Sequence, residues 1–123
     1  MFNLKKHATK FKQILLTAGR LNQKLDEIKI NQGLILSELN KNKKSKNIQD
    51  YEFKIFSQWG EDGIIQHLTN IVPINNKTFI EFGVEDFLES NCRFLLMKDN
   101  LKGYVIDGSK SNIQKLKNSY YYC

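Results

Sequence analysis

The sequence holds a single proline, Pro73, so no helix is broken anywhere ahead of that position. Cysteine is almost as scarce. Cys92 and Cys123 are the only two, which excludes a disulfide framework and a four-ligand zinc site and makes a reducing cytoplasm the default expectation. No apolar run approaches the roughly 18 residues of a transmembrane helix. Ile14-Leu15-Leu16, flanked by Lys12 and Arg20, is too short for the apolar centre of a signal peptide. The expected location is therefore cytoplasmic. Length is limiting too, since 123 residues make at most one small domain. With 41% hydrophobic and 26% charged residues the chain can build a core, and a disordered or collagen-like class is excluded.

Charge is unevenly placed. Residues 1 to 46 carry eleven basic and three acidic side chains, a net +8, whereas residues 47 to 123 carry eight and ten, a net −2. This divides the chain into a basic arm, 1–46, and a slightly acidic globular part, 47–123.

In the arm, positions alternating by three and four read Leu4, His7, Phe11, Ile14, Ala18, Leu21, Leu25, Ile28, Gln32, Ile35 and Leu39. Nine of these eleven are apolar, which is a heptad seam sustained for five heptads, and it predicts one long helix over residues 3–42. Gly19 and Gly33 should each weaken that helix by about 1 kcal/mol relative to alanine. Three uses stay open for it: a coiled coil, self-associated or with a partner helix; contact with an anionic membrane surface through its lysines; or a solvated spacer. His7 and Gln32 read as register-setting positions. The run from Lys41 to Lys46 has no apolar residue and predicts a solvated linker. No aromatic side chain is interleaved there to stack on bases, which argues against nucleic acid as a partner.

Beyond the linker, Tyr51, Phe53 and Ile55 alternate with Glu52 and Lys54, as in an extended segment. A helix then opens at Glu61-Asp62, acids suited to the positive end of its dipole, and Ile64, Ile65, Leu68 and Ile71 should form its buried face up to Pro73. Thr78 to Gly83 predicts a buried strand closed by a tight turn. The turn, Val84 to Glu89, is acidic, and Ser90 or Asn91 should cap a helix carrying Phe94, Leu95, Met97 and Leu101 inward. Gly103 to Asp107 predicts a second strand and Ser111 to Ser119 a last helix with Ile113 and Leu116 inward. This is a βαβ unit with a parallel pair of strands.

In such a unit, ligands bind beyond the carboxyl ends of the strands. Two acids stand there. Glu81 ends the first strand beside Gly83, and Asp107 ends the second, where a carboxylate can accept from the two hydroxyls of a ribose. Each has a plainer reading, because Glu81 could instead cap a helix or pair with Arg93 or a lysine, and Gly83 could simply complete a turn. A dinucleotide fingerprint requires G-x-G-x-x-G, but Gly83 is followed by Glu85 and Leu88 at the other two positions. Glu85, Asp86 and Glu89 would repel a pyrophosphate. A phosphate-free cofactor carrying sulfonium and ammonium charges suits this turn better, and S-adenosylmethionine is that cofactor.

Three segments in this order, Ser57-Gln58-Trp59-Gly60-Glu61-Asp62-Gly63, Ile80-Glu81-Phe82-Gly83-Val84-Glu85-Asp86-Phe87 with Glu89-Ser90-Asn91, and Val105-Ile106-Asp107-Gly108-Ser109, resemble the start of an FkbM-like S-adenosylmethionine-dependent methyltransferase. The resemblance spans residues 53 to 118. It implies an α/β fold, the N-terminal portion of a Rossmann-like sheet preceded by the long helix, and O-methylation of a hydroxyl on a glycan or small-molecule acceptor. It also implies a cofactor-binding set of Glu81, Gly83, Asp107 and Ser109, with Glu81 and Gly83 on the methionine side and Asp107 on the ribose. Two departures stand out: Phe87 occupies a position where many methyltransferases have glycine, expected to narrow the adenosine side, and Cys92 stands where threonine is expected. The implied fold has about six or seven strands, of which two are read, so the expectation is a truncated half-domain without turnover of its own. No catalytic residue and no metal ligand is assigned. The alternative reading is a coiled-coil interaction protein with a non-catalytic α/β remnant.

Overall fold

A computed structural model of the chain describes residues 2–119, with side chains from Lys6 onward. The side chain of Leu4 and the whole of Cys123 lie outside the described residues. The order of elements is α1 (Phe2–Lys41), a single 3-10 turn (Ile48–Tyr51), α2 (Glu61–Ile71), β1 (Thr78–Phe82), α3 (Arg93–Asp99), β2 (Lys102–Ile106) and α4 (Lys110–Lys117). The two strands pair in parallel, Thr78 opposite Lys102 and Phe82 opposite Ile106, with α3 as the crossover. The mixed α/β class and the long N-terminal helix are as expected. No helix among the described residues is long and apolar enough to cross a membrane.

The arm is not separate from the globular part. Asp26, Ile30, Gly33, Ser37 and Asn40, four and three residues apart, make one face of α1 that lies partly or fully buried against the rest of the chain. Gly33 is the point of closest approach: a Cβ there would stand 2.4 Å from the Phe94 ring and 3.0 Å from Ile55. The glycine that looked like a helix weakness is thus where the helix seats on the core, a reason that periodicity alone does not reveal. A buried ion pair completes the joint, with Arg93 Nη2 donating to Asp26 Oδ2 at 2.7 Å. Around it, Phe53, Ile55, Phe56 and Phe94 form a core, with Ile30, Leu36 and Met97 packed against them.

The lysine-rich linker is also pinned. The Tyr51 hydroxyl donates to the carbonyls of Lys43 and Ser45 and accepts from Ser45 N, while Asn40 Nδ2 donates to Tyr51 O at 2.7 Å. The Tyr51 ring stacks on His67, with centroids 3.5 Å apart.

Three local expectations need correction. The buried face of α2 is Asp62, Gly63 and Gln66, while Ile71 is 60% exposed. That rotation follows from Gly63, whose missing Cβ lets the helix start close to the backbone of Tyr51 and Phe53. The cap of α3 is Cys92, since Ser90 and Asn91 are engaged elsewhere, and Leu101 lies beyond the helix, buried, after Asn100 ends it in the left-handed conformation. The helix α4 starts at Lys110, one residue before Ser111, because Ser109 caps it.

The strands are not buried on both faces. Phe79, Glu81 and Val105 turn inward, where Phe79 and Val105 meet Val84, Phe87, Leu96 and Leu116 in a second core, whereas Ile80, Phe82, Tyr104 and Ile106 are exposed. Alternation of period two therefore wins over the continuous apolar run.

Candidate functional site

Beyond the carboxyl ends of β1 and β2, the second and third of the segments singled out in the sequence meet through direct hydrogen bonds. Gly83 N donates to Ile106 O at 2.8 Å, extending the parallel ladder one step past β1. The chain then turns at Gly83 with φ +69°, which glycine adopts at no steric cost. The space where its Cβ would stand is open for 4 Å. Backbone can be approached closely at this point.

Asp107 ties the two strand ends together. Its Oδ2 accepts from Glu85 N at 2.8 Å, across from the turn after β1, and its Oδ1 accepts from Ser109 N at 2.7 Å and Asn112 Nδ2 at 3.2 Å. The two backbone N–H donors stabilise the carboxylate and hold its pKa below the ordinary aspartate value. A carboxylate offers about four acceptor directions. With three donors in place, one direction remains, on Oδ2, so a second ribose hydroxyl would have to displace Asn112. Ser109, one of the four expected cofactor residues, accepts from Asn112 N as the cap of α4.

Glu81 takes the plainer of its two readings as a loop organiser. Its Oε2 accepts from Ser90 Oγ at 2.5 Å and Cys92 N at 3.1 Å, and its Oε1 from Asn91 N at 2.8 Å. It does not pair with Arg93, whose guanidinium is committed to Asp26 and to Leu88 O. The Cys92 thiol sits beside this carboxylate, and burial, reinforced by the negative charge of Glu81, pushes its pKa up to about 12. A thiol so placed is no nucleophile at neutral pH.

The first segment is tied to the site through the backbone of Phe56, the residue just ahead of it. Phe56 O accepts from Ser90 N at 3.1 Å, which sets the loop ahead of α2 against the loop after β1. That loop is shaped by Asp62, whose buried Oδ2 accepts from the backbone N–H groups of Ile55, Phe56 and Ser57 at 2.7–2.8 Å and from Ser57 Oγ at 2.8 Å. Sequence reading placed Asp62 at the helix dipole and missed this larger role. The discoverable signal was a serine five residues ahead of an aspartate in the first turn of a helix, the spacing of a side chain reaching back over a loop. Trp59, in the same loop, is 77% exposed and offers an aromatic face next to the site-forming segments.

Phe87 departs from its expected role. It has φ +66°, a conformation that glycine adopts without strain, and Glu85 two residues earlier has φ +50°. The Phe87 ring is buried with Val84 and Leu116 in the second core, so it narrows no opening at the strand ends. Its packing holds the turn in a conformation that its side chain alone would disfavour. A groove between Thr69, Ile74, Lys77, Leu95 and Leu101 lies at the opposite, amino end of the strands.

The arrangement presents two carboxylates on either side of an exposed glycine turn, with Glu85 and Glu89 adding negative charge at the surface. It can receive cationic and hydroxyl donors and would repel a phosphate. Compared with protein-family models, curated proteins and solved structures, the chain matches none.

Proposed function

We propose that residues 47–119 form the cofactor-binding part of an S-adenosylmethionine-dependent methyltransferase with a Rossmann-like sheet, acting on a hydroxyl of a glycan or small-molecule acceptor. One observation carries the cofactor reading: Asp107 Oδ2 accepts from Glu85 N at 2.8 Å, joining the glycine turn after one strand to the acid after its parallel neighbour. The acceptor class rests on the resemblance of the three segments to FkbM-like enzymes. In this reading the open side of Gly83 receives the methionine moiety, Glu81 Oε1 accepts from its ammonium, and Asp107 Oδ2 accepts from a ribose hydroxyl. The sulfonium sits in the field of Glu81 and Glu85. No residue of this chain is assigned to proton abstraction from the acceptor. S-adenosylmethionine supplies an electrophilic methyl group, and the chain's own part is to bind and orient it.

The test is calorimetric titration of the chain with S-adenosylmethionine and with NAD. S-adenosylmethionine should bind the more tightly. Asp107→Ala should weaken binding more than Glu89→Ala, since hydrogen bonds to a charged acceptor contribute roughly 1.5–3 kcal/mol and an exposed charge less than about 1 kcal/mol. Tighter binding of NAD, equal loss from the two substitutions, or no heat from either ligand at millimolar concentration would refute the assignment.

A further inference from the structure

The heptad seam of α1 does not face the chain's own core. The face that packs inward, Asp26, Ile30, Gly33, Ser37 and Asn40, lies about 140° around the helix from Leu25, Ile28, Gln32, Ile35 and Leu39, at 3.6 residues per turn. Phe11, Ile28, Ile35 and Leu39 are 61–64% exposed, so the seam is uncovered both along the projecting half of the helix and where the helix is docked. Because the globular part covers nearly the opposite side, a second helix can run the length of the seam without meeting it.

We propose that the occupant is α1 of a second copy of this chain, aligned antiparallel about an axis between Gly19 and Arg20. In that register the two polar seam residues meet each other, His7 against the partner's Gln32, while Phe11 faces the partner's Ile28, Ile14 the partner's Leu25 and Ala18 the partner's Leu21. Shifting by one heptad, or turning the helices parallel, breaks this match. A parallel pair would also set Lys24 beside the partner's Lys29. Charge favours the same orientation. Residues 2–21 carry five basic side chains and no acid, whereas in the second half Glu27 and Glu38 offset lysines and Asp26 is already paired with Arg93. A parallel pair lays the two all-basic halves side by side, and antiparallel alignment keeps them apart. Between Phe11 and Ile28, six apolar seam side chains per copy would be covered. The five large ones, at roughly 60–120 Å² each, remove roughly 600–1,200 Å² in the dimer before Ala18 and flanking side chains are counted. Stable interfaces begin at about 1,200 Å².

The test uses the full chain with Cys92 and Cys123 replaced by serine. Sedimentation should show a dimer at about 100 µM, and Ala18→Asp should raise its dissociation constant at least about 100-fold. In the double variant Ile14→Cys with Leu25→Cys, oxidation should give a covalent dimer, because the two sites are about 16 Å apart along one helix and cannot bridge within a chain. Ile14→Cys alone should give none. Cross-linking by the single variant, a monomer at 100 µM, or a monomer that associates only with anionic phosphatidylserine vesicles would each overturn the proposal.

Discussion

At the scale of single residues, two aspartates do most of the organising, and they do it in different surroundings. Asp62 is buried and holds three backbone N–H groups that have no other acceptor among the described residues, so Asp62→Ala should cost about 3–5 kcal/mol by leaving them unsatisfied. Chemical denaturation would check this, and a loss below about 1 kcal/mol would show that the loop finds other acceptors. Asp107 works at the surface. Because its pKa is held below the ordinary aspartate value of 3.8, its stabilising effect is fully present above that pH and is lost as pH falls through the lowered value. The amide proton of Glu85, bonded to Asp107 Oδ2, should report the titration by NMR with a midpoint below 3.8. A midpoint above 3.8 would mean that the bond between the two strand ends does not form.

At the scale of elements, α1 shows how far periodicity carries and where it stops. Its length and seam were legible because a three-four alternation without proline has one regular solution. Which face docks was not legible, since of its five residues only Ile30 is a large apolar side chain, and a glycine, a serine, an asparagine and one arm of an ion pair do not register as hydrophobic pattern. The two glycines give a paired prediction. Gly19→Ala meets nothing within 4 Å and should stabilise by up to about 1 kcal/mol, whereas Gly33→Ala drives a methyl group into Phe94 and should destabilise by roughly 1–3 kcal/mol. Thermal melts of both variants suffice, and equal shifts would place Gly33 away from the core. The ion pair belongs here too. Asp26→Ala leaves the Arg93 guanidinium, which also lies 4.1 Å over the Phe56 ring, without its carboxylate, and should cost about 3–5 kcal/mol in a denaturant titration. A change within about 0.5 kcal/mol would show that the helix seats without it.

For the whole molecule, the parallel pair and its crossover were readable from Thr78–Phe82, the glycine after it and the run ending at Asp107, since short apolar runs and turn residues agree there, although burial on one face only was not. The candidate site was readable in part. Glu81, Gly83, Asp107 and Ser109 do gather at one end of the strands, but three of the four are engaged in shaping loops: Glu81 gathers Ser90, Asn91 and Cys92, Asp107 ties Glu85 to Ser109 and Asn112, and Ser109 caps α4. Residue spacing specifies where a carboxylate stands but not which neighbouring N–H groups will claim it. The inward turn of Phe87 was likewise hidden, because a left-handed backbone at phenylalanine is sustained only by the core that forms around its ring.

An amide-resolved NMR titration of the chain with S-adenosylmethionine tests whether this strand end is a cofactor site. The amides of Gly83, Glu85, Asn91 and Ser109 should shift together and saturate at one concentration, while those of Thr69, Leu95 and Leu101, at the opposite end of the strands, stay in place. Shifts confined to that opposite groove, or none at saturating ligand, would contradict it.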